Sequence, residues 1–316
     1  ADLVIAGGSE SLSHQPLIVS DAVESLARMP RRRDPAAFAE SLTQLSIADM
    51  LPVLPPVSEP YTGETLAYSA ETLMQAFGVS RYDADTYAAQ SQQRAAAARK
   101  QHLAPRIRPI DTADGTVTDD DLIRGDTTQA ILSELAAVFE TGGVTSGNAS
   151  RLTDGGAAVL LARPAFAAEQ GLTPQGFIVA SHLSAHDPNV GVLLGPAFAI
   201  PQVLDAAGMT LSDIDVIEIH EAFAGQVLAN LNALASNTFA REQLNRTSPI
   251  GVIDPASINA WGGSLSIGHP FGATGARIIM QAVDRLHAED KQTALVALCI
   301  GGARGAALII QRDVEN

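Results

Sequence analysis

Between residues 155 and 311 the chain alternates short apolar runs with helical patterns, and this alternation limits the possible folds most. Gly155 to Ala162 (GGAAVLLA) is small and apolar enough for a buried strand, and Gln175 to Ser181 reads as another. Pro196 to Ala207 reads as a helix that ends at Gly208. Asp215 to Ile219 (DVIEI) alternates as a strand. His220 to about Ala235 is then helical, with Phe223, Val227 and Leu231 at spacing four on one face. Arg277 to His287 is a further helix. Leu295 to Leu298 and Ala306 to Gln311 read as strands joined by a glycine-rich turn, Gly301 to Gly305. Strands that alternate with helices specify an α/β protein with buried sheets.

The first half has a different texture. Ala1 to Ser9 reads as a strand entering a Gly7-Gly8 turn. An apolar, central-type strand at the start of a chain is unusual, so a further N-terminal segment is expected to belong to the protein. Residues 11 to 145 read as an excursion from a compact fold. They hold an arginine run (Arg28, Arg31, Arg32, Arg33) and the segment Leu51-Pro52-Val53-Leu54-Pro55-Pro56. The arginine run is either a solvated loop or a contact for a ligand phosphate or partner. Two helices are expected here, one from Thr65 to Phe77 and one capped by Ser80 that runs to about Lys100. Asp119, Asp120 and Asp121 sit in a polar loop.

Composition removes several functions. The 316 residues suggest two domains at about 150 residues each, and 46% hydrophobic residues supply a large core. A net charge of −15 argues against a nucleic-acid binder, which needs a basic face. It leaves room for a small anionic ligand held by local donors. Cys299 is the one cysteine, which excludes an intrachain disulfide and multi-cysteine metal clusters. No run of about 18 apolar residues is present, and the N-terminus has no basic-then-apolar signal. The default expectation is a soluble intracellular protein.

Three places can carry chemistry. His220-Glu221-Ala222-Phe223 falls at a strand-to-helix junction, where helix N–H groups favour negative charge. There His220 either caps the helix or takes part in catalysis. Asn259 to Arg277 (NAWGGSLSIGHPFGATGAR) is dense in glycine, which points to tight turns and close approach. Within it His269 lies between Gly268 and Pro270, so its position is nearly fixed, as a general base requires. Cys299 ends a strand and enters Gly301-Gly302, whose backbone N–H groups suit an oxyanion. It is a buried small hydrophobe, a nucleophile or an acid/base. Two histidines and a thiol with backbone donors fit chemistry on a thioester carbonyl.

At these residues the chain resembles the thiolases, over its whole length. The matching segments are Ala1 to Ser13, Val144 to Leu161 (VTSGNASRLTDGGAAVLL), His220 to Ala224 (HEAFA), Asn259 to Arg277 and Leu298 to Ala307 (LCIGGARGAA). Dispersed motifs in family order are a specific signal. The resemblance implies a layered α-β-α-β-α fold with two similar halves and an inserted loop domain. On that reading residues 1–10 end the N-terminal half, 11–145 form the loop domain, 146–171 return to the N-terminal half, and 172–316 form the C-terminal half. Most thiolases have Asn where this chain has His220. The HEAF form and the long stretch before the glycine-rich motif are similar to the β subunit of the fatty-acid oxidation trifunctional complex.

The resemblance also implies roles. His269 would activate a nucleophilic cysteine and help form an oxyanion hole to which His220 contributes. Cys299 would be the acid/base at the acetyl α-carbon or the CoA sulfur, and the Gly301 N–H would serve a second hole. Ser150 would contact the pantetheine arm, and Phe223 would line the pocket. Arg151 stands where Gly usually follows that Ser, and Arg304 is unusual in the last turn. The family uses two cysteines, and Cys299 corresponds to the proton-transfer one. The acyl-carrying cysteine lies shortly before the strand that begins here at Ala1, so the chain as given is expected not to complete the cycle alone.

The expected activity is thiolytic cleavage of 3-ketoacyl-CoA by CoA, an acyltransferase step of β-oxidation whose reverse is a Claisen condensation. The alternative is a non-catalytic acyl-CoA-binding or scaffold protein. No metal and no cofactor are implied, because CoA is a substrate. A homodimer or tetramer is expected, and the trifunctional type pairs with an α subunit carrying hydratase and 3-hydroxyacyl-CoA dehydrogenase activities. Leu51 to Val57 either packs within the loop domain or touches that subunit or a membrane surface. The location would be cytoplasmic in a bacterium and mitochondrial in a eukaryote.

Overall fold

The computed structural model describes residues 1–29, 34–53, 55, 58–113 and 115–314. It forms two compact units, Ser11–Val57 and Ala1–Glu10 with Ser58–Asn316.

The smaller unit holds helices Asp21–Arg28, Pro35–Thr43 and Ile47–Met50. Each starts at a polar cap: Ser20, Asp34 and Ser46 accept from backbone N–H groups of the first turn. Ile18 and Val53 pair by an antiparallel bridge, which closes the unit's ends. Arg28 pairs with Glu24 on its own helix, while Arg31, Arg32 and Arg33 lie outside the described residues. Of the apolar proline-rich segment, Leu51 and Val53 are exposed; Leu54, Pro56 and Val57 also fall outside.

The larger unit contains strands β1 (Leu3–Glu10), β2 (Gly155–Ala162), β3 (Phe177–Ala185), β4 (Val216–Ile219), β5 (Thr293–Ile300) and β6 (Arg304–Gln311). Its long helices are α1 (Leu66–Ala76), α2 (Arg81–Ala98), α3 (Gly195–Ala207), α4 (Ala224–Ala235) and α5 (Phe271–Ala288). α1 starts at Thr65, and α2 starts with a Ser80–Asp83 capping box that satisfies both terminal donors. α3 ends at Gly208 in the left-handed conformation (φ 65°).

Strands β3, β6, β5 and β4 form one sheet in that order, with β4 and β5 parallel and the other pairs antiparallel. Both faces are covered. Leu295, Ala297, Ala307 and Ile309 join the larger core with residues of α3 and α4. Alternate residues Ala294, Val296 and Ile310 pack instead with Ile278, Ala282 and Leu286 of α5. The other side of α5 meets β1 and β2, which pair antiparallel from Leu3–Ala162 to Glu10–Gly155. Sheet, helix, sheet and helix therefore stack in layers. The excursion of residues 11–154 leaves and rejoins at paired neighbours, Glu10 and Gly155.

Several details differ from the sequence expectations. β1 runs straight through Gly7 and Gly8 with no turn. These glycines serve close packing: a Cβ on Gly8 would come within 2.2 Å of the Gly272 carbonyl at the start of α5. β2 alternates between half-buried and exposed residues up to Val159 and is exposed from Leu160 to Ala162; among the described residues it pairs with β1 and packs on α5. The helix after β4 begins at Ala224, so His220 to Phe223 form a connecting loop; the Gln226 side chain turns back to accept from the Ala222 N–H (3.2 Å). α5 begins six residues earlier than the periodicity indicated, at Phe271 directly after Pro270.

Gly195 and Gly305 pack backbone to backbone, and a Cβ on either would meet a carbonyl oxygen at 2.2 Å. Gly305 also pairs with Cys299 across the β5–β6 ladder. Gly305→Ala should therefore destabilise the protein by about 1–3 kcal/mol, read from the urea midpoint. A change within 0.5 kcal/mol would mean that α3 shifts freely against β6.

Candidate active site

The parallel pair β4–β5 puts two strand ends at the same sheet edge, with Ile219 beside Ala297. His220 is the first residue past β4, and its N–H donates to the Ala297 carbonyl (2.8 Å). Cys299 lies two residues beyond Ala297, half-buried at the border of the larger core. In open α/β sheets the ends of parallel strands are the usual place for ligands.

His269 arrives from the glycine-rich segment. Gly268, at φ 103°, turns the chain, and Pro270 leads into α5. The His269 and His220 rings lie 4.1 Å apart, tilted by 45°. His220 Nδ1 is 2.9 Å from Ser264 Oγ, and His269 Nδ1 is 2.7 Å from Thr274 Oγ1 in the first turn of α5. Phe271 packs on the outer side of His269 at 4.8 Å.

One backbone strip joins both histidine loops. The Ser150 N–H donates to the Ala222 carbonyl and the His269 N–H to the Arg151 carbonyl, both at 2.9 Å. Ala149 bridges Phe223, and Leu152 bridges His269. Ser150 and Phe223, both half-buried, thus stand beside the histidines. Arg151 holds His269 through its main chain, and its own side chain is exposed.

The Cys299 turn is pinned at one peptide. The Arg304 guanidinium donates to the Gly301 carbonyl (2.9 Å), and the Gly302 N–H donates to Glu59 Oε2 (2.8 Å). Gly301 faces open space, since a Cβ there would meet nothing within 4 Å. Arg304 therefore has a structural role that its oddity in the sequence concealed. Glu59 is buried and comes from a turn far from Cys299 in the chain, so no local pattern could have marked it.

Glu221 anchors the site from behind. It is fully buried. Oε1 accepts from Tyr87 Oη (2.9 Å) and Asn259 Nδ2 (2.7 Å). Oε2 accepts from Ser91 Oγ (2.8 Å) and the Leu265 N–H (3.1 Å). A carboxylate is acceptor-only, and here each oxygen receives two donors. The residue was visible in the sequence as the neighbour of His220, but its partners on α2 and in the glycine-rich segment were not.

The electrostatics favour neutral groups. Burial, the neighbouring His269 and the Arg277 charge hold His220 well below the ordinary histidine range. Burial and Arg277 bring His269 down to about 4. Burial pushes the Cys299 thiol up to about 12. At neutral pH the site therefore holds two neutral imidazoles and an intact thiol. Among the described residues no cluster of histidine, cysteine or acidic side chains could hold a metal ion, and no helix is long and apolar enough to cross a membrane.

Two neutral histidines and a thiol thus lie at the ends of strands in a layered α/β fold, and comparison with known proteins identifies its family. The thiolase N-terminal domain matches residues 1–165 and the thiolase C-terminal domain residues 172–312, so the chain belongs to the thiolase family. A probable 3-ketoacyl-CoA thiolase of Caenorhabditis elegans is 40% identical over 317 residues, covering 98% of this chain and 70% of the relative. The 3-ketoacyl-CoA thiolase of Yersinia enterocolitica is 40% identical over 318 residues, covering 98% and 72%. The crystal structure of human mitochondrial 3-ketoacyl-CoA thiolase superposes with a TM-score of 0.79 at 30% identity, over 98% of this chain and 72% of that one. The same human protein in complex with CoA also gives 0.79, at 31% identity over 98% and 71%.

Glu221→Gln places an amide NH2 against two donors whichever way it turns. It should cost about 3 kcal/mol or more, read by urea denaturation. The histidines also make stability depend on pH. Their folded pKa values lie below the unfolded value, so their contribution is full above about 6.5 and is lost as pH falls towards 4, by up to ~1.4 kcal/mol per pH unit for each. Glu218, raised to about 7 by burial, acts in the opposite sense between 4.5 and 7. The comparison of wild type with His269→Gln isolates the histidine part: the variant's urea midpoint should fall less between pH 6.5 and 5.

Proposed function

We propose that the chain carries the proton-transfer and oxyanion chemistry of 3-ketoacyl-CoA thiolysis, the reaction in which CoA converts a 3-ketoacyl-CoA into acetyl-CoA and a shortened acyl-CoA. The observation that carries this reading is the pair of neutral histidines at the strand edge where a high-pKa thiol also ends. Cleavage of the bond between C2 and C3 leaves an electron pair on the acetyl-CoA carbon, delocalised onto the thioester oxygen as an enolate. His220 supplies a donor for that oxygen, and His269 supplies a second once it has taken the proton of the acyl-accepting thiol. Cys299 gives its proton to C2. A thiol held near 12 suits an acid and not a resting nucleophile, which needs a lowered pKa. The Gly301 N–H serves as a donor for the second oxyanion.

His269, before transfer, is the base that would draw the proton from an acyl-accepting thiol; Cys299 is the chain's one cysteine and is occupied with proton transfer. Ser150 and Phe223 stand beside the histidines, which supports their roles towards the pantetheine arm and the pocket. CoA and 3-ketoacyl-CoA are substrates on this reading, with no resident cofactor. A homodimer or tetramer, and an α subunit with hydratase and dehydrogenase activities, are the partners. The yersinial and human mitochondrial relatives support a bacterial cytoplasmic or mitochondrial location.

The test is the half-reaction that needs neither C–C cleavage nor an acyl carrier. In D2O the protein should exchange the methyl hydrogens of acetyl-CoA for deuterium, followed by mass spectrometry. Cys299→Ala should abolish exchange while acetyl-CoA still binds. Since the thiolate is the base in this direction, the rate should rise about tenfold per pH unit from 7 to 9. Binding without exchange at any of these pH values would instead identify a non-catalytic acyl-CoA-binding protein.

A further inference from the structure

The two histidines are chemically alike and touch, yet the proposed reaction asks different things of them. One must accept a proton and the other must present one. Their Nδ1 partners separate them. Ser264 Oγ, fully buried, has two partners: Arg277 Nη2 at 3.0 Å and His220 Nδ1 at 2.9 Å. A guanidinium can only donate, so the Ser264 oxygen accepts from Arg277; among the described residues His220 Nδ1 is the acceptor offered to the buried hydroxyl hydrogen, which would otherwise go unpaired. His220 Nδ1 is then the acceptor, and the ring hydrogen sits on Nε2. At His269 the order is reversed. Thr274 Oγ1 donates to the Pro270 carbonyl (3.2 Å) and lies 2.7 Å from His269 Nδ1. Both contacts are hydrogen bonds only if His269 Nδ1–H donates to Thr274. His269 Nε2 is then a bare lone pair.

We infer that Ser264, oriented by Arg277, is a positioning residue that holds His220 as the Nε2–H tautomer, opposite to the tautomer that Thr274 gives His269. The consequence is a division of labour set by hydroxyl groups. His220 offers a permanent N–H to the substrate oxygen, and His269 offers a lone pair to the proton that must leave. Ser264 touches no substrate and acts through His220. Arg277 contributes in a further way: its charge beside both rings disfavours protonation, so His220 stays neutral and keeps one tautomer. The inference rests on the reading that both rings face the thioester, but its first test does not.

That test is nitrogen NMR on the full chain labelled with 15N-histidine, with the His220 pair assigned by its loss in His220→Asn. His220 should give an unprotonated Nδ1 and a protonated Nε2, and His269 the opposite pair. In Ser264→Ala the His220 Nδ1 signal should move while the His269 pair stays in place. The same variant should exchange acetyl-CoA hydrogens about tenfold more slowly with unchanged acetyl-CoA affinity. A protonated His220 Nδ1 in the wild type overturns the assignment, and so does an S264A protein with wild-type exchange. If the alanine variant does not fold, the wild-type spectrum alone decides. Absent exchange in a wild type with the expected spectrum would reject the catalytic reading and leave the tautomers standing.

Discussion

The Glu221 carboxylate is the interaction on which the site depends. An ionised group buried without partners costs several kcal/mol, and this one is kept because four donors converge on it. Those donors come from α2, from the Asn259 loop and from the short helix that carries Ser264. Each segment is therefore located relative to the residue after His220. The network does more than stabilise: it sets where Ser264 stands, and through it how His220 is turned.

Around that anchor the site is built from main-chain contacts between segments distant in sequence. The strip at residues 148–152 holds the His220 loop on one side and the His269 loop on the other. The β1–β2 sheet presses against the start of α5, where Gly8 lets it approach. Little of this relies on salt bridges at the surface, which contribute little. The buried pair Arg285–Glu218 (2.7 Å) lies beneath the sheet edge and ties α5 to β4.

Much of this was legible in the sequence, for identifiable reasons. The strands that end in β5 and β6 are apolar and short, and α1 and α2 begin at Thr65 and Ser80, residues whose side chains cap. His269 was marked by Gly268 and Pro270, which fix the backbone locally. His220 stands at a strand-to-helix boundary, although the helix starts four residues later, at Ala224. Glu59, Tyr87 and Ser264 were not marked. Each works through a partner far along the chain, and periodicity carries no information about which distant donor meets which acceptor. Arg304 stands out in the sequence, but its role, a single bond to the Gly301 carbonyl, has no signature there.

The pinned peptide between Gly301 and Gly302 changes what glycine means in that turn. Its carbonyl is tied to Arg304 and its N–H to Glu59, so the bond cannot swing. Gly302 supplies the left-handed backbone of the turn (φ 76°), and Gly301 leaves the space beside the peptide open. The turn resembles a rigid ledge with its furniture removed: whatever settles beside Cys299 finds a surface already set, and pays nothing in backbone ordering to use it.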